Sequence, residues 1–160
     1  MKLVLCIVVI VMLSITGCSS NNATTPVQEN IVLAYDTIEI RYQQLSELAF
    51  DVIDNVESDD SINVKKLYDL LDNVPSVNLD FNDKPASKKA IQAFIQYQGI
   101  IENELMQLFA QLDSSGSWRN APFIQDMKRL AEETRKEIAA ARQAYNKAVE
   151  AGKFDMKIPE

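Results

Sequence analysis

The chain has 160 residues, with 47% hydrophobic and 24% charged residues, which suits one folded domain and excludes wholesale disorder. Asp and Glu outnumber Lys and Arg by 23 to 16, a formal net charge of −7. An acidic surface repels phosphate backbones, so nucleic acid is excluded as a partner. There is no histidine, and only four glycines and five prolines punctuate the chain, which favours long helices over a sandwich or barrel.

Residues 1–17 read as a lipoprotein signal peptide: Lys2, an unbroken apolar run from Leu3 to Leu13, then Ser14-Ile15-Thr16-Gly17 directly before Cys18. Small residues ending at a Cys resemble the lipobox of bacterial lipoproteins, which predicts lipidation, palmitate included, at Cys18. An uncleaved single-span anchor is the alternative, but the apolar run is short of the roughly 20 residues that crossing a bilayer takes. Lipid is then the membrane partner, since each buried methylene contributes about 0.8 kcal/mol and an acidic domain gains nothing from anionic head groups. Cys6 lies inside the signal and Cys18 is consumed, so no thiol remains for a disulfide or a nucleophile. Ser19 after the Cys points to the outer membrane where the source has one. Otherwise the expected location is the outer side of the cytoplasmic membrane.

Residues 18–28 are expected to be the lipidated Cys and a flexible tether rich in Ser, Asn and Thr, and residues 29–160 an all-α, antiparallel four-helix bundle with a short second helix. From Glu29, Val32, Tyr35, Ile38, Tyr42, Leu45, Ala49, Val52 and Val56 recur at steps of three and four, the apolar stripe of a long helix. Glu57-Ser58-Asp59-Asp60 ends it and supplies carboxylates to cap a second helix over about 61–73, which Pro75 stops. Val77, Leu79 and Phe81 alternate with polar residues, as in an extended segment laid across a bundle groove. Pro85 opens a third helix with a seam of Ile91, Phe94, Gln98, Ile101, Leu105, Leu108 and Leu112, in which Gln98 is the polar exception. After Asp113–Ser117, Asn120 is placed to cap a last helix with Pro122 in its first turn. Its expected stripe is Phe123, Met127, Leu130, Thr134, Ile138, Ala141, Tyr145 and Ala148, running to Gly152.

The chemistry of common sites is missing. A di-metal bundle site and a nucleophile triad both need histidine, and no phosphate loop occurs, so neither metal nor cofactor is expected. Paired carboxylates such as Glu102 with Glu104 and Glu132 with Glu133 read as solvated helix faces. Asn78, Asp80 and Asn82 alternate like the start of a calcium loop, but Asp83 replaces its glycine and Lys89 its closing glutamate. Trp118 and Arg119 form the candidate partner-binding pair, an aromatic beside an arginine in a loop. The competing reading has Trp118 plugging the end of the bundle. Arg142, Tyr145 and Asn146 read as a hydrogen-bonded set that locks helix register.

Two segments resemble the LemA family. In the first long helix Ala34, Tyr35, Ile38, Ile40, Gln43, Leu48, Val52, Ile53 and Val56 fit its pattern. In the last, Thr134, Ile138, Ala141, Arg142, Tyr145, Asn146, Ala148 and Val149 do, through the string Ala-Arg-x-x-Tyr-Asn-x-Ala-Val. The family's paired arginines are Gln44 and Leu45 here, its helix proline is Phe50, its Tyr-Pro is Ser115-Gly116, and its second Tyr-Asn is Gly152-Lys153. The resemblance covers the two outer helices and marks a divergent member. It implies an envelope-anchored helical bundle outside the cytoplasmic membrane, with no established reaction. The expected function is therefore a non-enzymatic interaction or scaffold module with an envelope protein partner. The alternatives are a binding module for a small ligand or peptide, using a groove near Trp118 and Val77–Phe81, and a carboxylate-based enzyme.

Overall fold

Thr25 starts the first helix. Its hydroxyl accepts the Gln28 N–H at 3.3 Å while the Gln28 side chain accepts the Thr25 N–H at 2.8 Å, a reciprocal capping box with Pro26 at the first helical position. The computed structural model describes residues 25–77, 79, 81 and 87–159. Among them are four α-helices and no strand: α1 Pro26–Val56, α2 Lys65–Leu71, α3 Lys88–Ser114 and α4 Pro122–Gly152. The helix thus claims Pro26, Val27 and Gln28 from the expected tether, because the box satisfies two end N–H groups that a tether would leave to water.

Two of the long helices, α1 and α3, run opposite to the third, α4. Arg41 of α1 pairs with Glu137 of α4 at 3.1 Å, and Tyr35 meets Tyr145 further along, so α1 and α4 are antiparallel. Glu102 with Arg135 and Asp113 with Lys128 set α3 antiparallel to α4 in the same way. The second element descends between α1 and α3 in two pieces. First comes α2, with Phe50 against Tyr68 and Tyr97 Oη donating to Leu70 O at 2.9 Å. Then an extended stretch follows, from which Leu79 is buried and Val77 and Phe81 pack against the core.

α2 is seven residues long, shorter than expected. Asp59 does not cap it. Its Oδ1 accepts both the N–H and the hydroxyl of Ser61 (3.0 and 2.6 Å), and Asn63 Oδ1 accepts the Lys65 N–H at 3.3 Å, local turns that displace helical bonding before Lys65. Likewise Asn120 is not the cap of α4. A residue before proline is pushed to extended backbone, so Ala121 (φ −65°, ψ 120°) takes the cap position ahead of Pro122. The expected opening of α3 at Pro85 lies outside the described residues; Ser87 caps that helix, its hydroxyl accepting the Ala90 N–H at 3.2 Å.

The seam of α3 is buried as expected, Gln98 included. On α1 the stripe enters at Ile31, with Val32 only partly buried. In the first half of α4 the buried positions are Ile124 and Ala131, with Phe123 and Met127 at the flank and Leu130 exposed. The buried register there is thus Ile124 and Ala131 and not the larger Phe123 and Leu130, with Ala131 fully buried like Ala49 on α1.

The chain does not end with α4. Lys153 turns the backbone left-handed (φ 57°), and the Phe154 N–H reaches back to Val149 O at 3.0 Å, a Schellman-type stop. Gly152 is needed beside it for space, since a Cβ there would lie 2.7 Å from Phe154 and 2.8 Å from Val27. The tail then runs extended, with Phe154, Met156 and Ile158 inward and Asp155 and Lys157 outward. Phe154 packs on Phe81 with ring centroids 5.4 Å apart and planes tilted by 60°, so both extended segments complete the same end of the bundle.

Candidate functional site

Glu39, Gln43 and Ser46 lie along one face of α1, and Phe94 and Gln98 face them from α3, one turn apart. Because the descending element is extended here rather than helical, Val74-Pro75-Ser76 cover the gap only in part. The result is a cleft of about 410 Å³. Its floor is the Phe94 ring, held between Tyr35 and Tyr42 at centroid distances of 6.2 and 5.9 Å.

The cleft holds polar groups that the fold itself does not use. Gln98 is 3% exposed and its Oε1 has no hydrogen-bond partner among the described residues. A buried amide left unpaired costs about 1–3 kcal/mol. Behind the cleft the Tyr35 hydroxyl is also buried without a partner. It interacts electrostatically with Glu39, although the pair does not meet hydrogen-bond geometry. Burial, then Glu39, pushes the Tyr35 hydroxyl far above the ordinary tyrosine range. Glu39 is itself raised, by burial and then by Asp36, against the opposing pull of the Tyr35 hydroxyl.

Trp118 and Arg119 each have a partner within the bundle's own loops. The Trp118 indole N–H donates to Asp59 Oδ2 at 2.8 Å and its ring packs on the core, tying the α1–α2 loop to the α3–α4 loop. Arg119 is exposed and its Nε donates to Asp113 O at 2.7 Å. Trp118 stands by the C-terminal end of α1, whereas Phe81 packs on Phe154 near its N-terminal end, so the groove expected to join them does not form. Cys18 lies outside the described residues, as do Asn78, Asp80, Asn82 and Asp83.

Arg142, Tyr145 and Asn146 are committed to the fold. Arg142 Nη2 donates to the Tyr42 hydroxyl, and the guanidinium carbon sits 5.4 Å from the Tyr42 ring centre. The Tyr145 hydroxyl donates to Met156 O at 3.1 Å, and Asn146 binds the backbone of Ile158. The carboxylate pairs are engaged too: Glu102 and Glu132 with Arg135, Glu104 with Lys66, and Glu133 with Arg129. Among the described residues no three His, Cys, Asp or Glu side chains converge for a metal, and no helix is long and apolar enough to cross a membrane.

Gln98 was visible in the sequence as the polar break in an apolar seam. Glu39 was not, because it falls off the α1 stripe among other surface acids. The extended chain at residues 74–76, which follows from the stop at Pro75, turns that position into the wall of a cleft. No family model matches the chain, and no curated protein or solved structure emerges as similar to it.

Proposed function

We propose that this chain is a lipid-anchored protein of the bacterial cell envelope, a divergent LemA-like bundle that acts as a non-enzymatic interaction or scaffold module. The observation that carries the reading is the order of its first residues: an apolar run that stops at Gly17-Cys18, then a short polar stretch up to the Thr25 cap of a helical domain. Six residues separate Cys18 from Thr25, and the seven backbone steps reach about 25 Å at most. The domain is therefore held near the bilayer by its first helix. The LemA-like part of the reading rests on the string in α4, where Arg142 bonds to α1 and Tyr145 and Asn146 bond to the C-terminal tail.

Replacing Cys18 with serine in cells tests the reading. Labelling by a palmitate analogue should disappear, and the protein should leave the membrane fraction or accumulate unprocessed. Unchanged labelling and membrane retention of Cys18→Ser would sink the anchor, and with it the envelope assignment. Crosslinking of the wild-type protein in the envelope then identifies the partner.

A further inference from the structure

We propose that the cleft between α1 and α3 binds a small organic ammonium ion with an apolar body, recognised by the Glu39 carboxylate and the Gln98 amide oxygen. The volume, about 410 Å³, falls in the range of about 300–1,000 Å³ typical of small-molecule sites. The side-chain polar atoms presented there are a carboxylate, two amides and two serine hydroxyls, with no lysine or arginine in the lining. Glu39 has no salt-bridge partner among the described residues, as the other acids of α1 also lack one, but those are exposed whereas Glu39 is half-buried in the wall of the cleft.

Gln98 is the second, independent sign. An amide oxygen buried in an apolar seam without a donor is a defect unless something supplies one. A protonated amine supplies three donors and a positive charge, which suits Gln98 Oε1 and Glu39 together. The Phe94 ring with Val74 and Pro75 gives the apolar remainder of the ligand a surface, and an aromatic face also attracts a cation. An anion would find no counter-charge here, and a neutral alcohol would leave the carboxylate uncompensated.

The test is calorimetric titration of the full-length chain in detergent with small arylalkyl amines, each compared with its alcohol and carboxylate isosteres. The amines should bind and the carboxylates should not. Glu39→Gln should weaken amine binding by about tenfold or more, the loss expected for a charged hydrogen bond. Gln98→Leu should weaken it too while holding or raising the melting temperature, because it removes the unpaired amide. That second readout separates loss of a recognition group from loss of fold. Failure of every amine to bind, equal binding of the isosteres, or undiminished binding in both variants would overturn the proposal. None of these outcomes bears on lipidation at Cys18.

Discussion

Asn146 holds Ile158 at both of its backbone groups: Nδ2 donates to Ile158 O and Oδ1 accepts the Ile158 N–H, each at 2.9 Å. The pair is buried, with Asn146 6% and Ile158 5% exposed. A side chain thus does for the tail what a neighbouring strand would do, and the tail becomes part of the bundle. Lys88 with Asp155 and Gln92 with Lys157 O fasten the same segment to α3.

Asn146→Ala strands both groups of Ile158, so it should lower stability by about 1–3 kcal/mol. Deleting residues 155–160 removes the same contacts from the other side. Combined with Asn146→Ala it should cost less than the two changes added together, because they share partners. Denaturant unfolding of the three variants checks this; an Asn146→Ala protein as stable as wild type would refute it.

The bond between Trp118 and Asp59 makes the far end of the bundle acid-sensitive. The hydrogen bonds from Ser61, then the one from the indole, hold the Asp59 carboxyl below the usual carboxylate range. A folded-state pKa that is lowered gives stabilisation present above the ordinary value, about 3.9, and lost as pH falls through the lower one. Trp118 fluorescence should therefore change with a midpoint below about 3.9. Asp59→Asn should abolish that transition while the helices persist by circular dichroism. A transition that survives in Asp59→Asn would assign it to another group.

At the alkaline limit three buried tyrosines govern. Burial pushes the Tyr145 hydroxyl up to about 12 from 10.0. Tyr42 is raised by burial too, against the pull of Arg142, and Tyr35 moves the same way. Raised values mean that the unfolded chain ionises first, so stability should fall as pH climbs from 10 towards 12. Tyr145→Phe keeps the ring packing and loses one bond to Met156 O, so it should cost about 1 kcal/mol near neutrality and weaken the alkaline decline. Tyr145→Ala should cost about 3 kcal/mol or more near neutrality, as a large-to-small core change. Unfolding free energy measured as a function of pH distinguishes them, and a Tyr145→Phe profile as steep as wild type would contradict the assignment.

Helix type and order were legible because the apolar spacing of α1 and α3 is regular and long. Gln98, Tyr145 and Asn146 stood out for the same reason, as polar or amphipathic groups on an apolar stripe. What was not legible depends on competition between local bonds. Asp59 and Asn63 turn the chain where carboxylates alone suggested a helix start. Thr25 and Gln28 build a helix start where composition suggested a tether. The tail could not be read either, since Phe154, Met156 and Ile158 alternate too briefly to announce burial without the Asn146 that receives them. The cleft lies beside the extended stretch that Pro75 announces, but that Glu39 lines it depends on packing that spacing alone does not show.

The most extensive packing in the bundle joins its first and last helices, with Tyr42 and Arg142 in contact across 100 positions of sequence. Chain closure over that distance is entropically slow compared with joining neighbours. A growing chain that has released α1, α2 and α3 still lacks the helix on which α1 closes, and the final segment that Asn146 secures arrives later still. Closure of the bundle is thereby deferred until α4 has been synthesised, and the apolar stripe of α1 waits for its main partner until then.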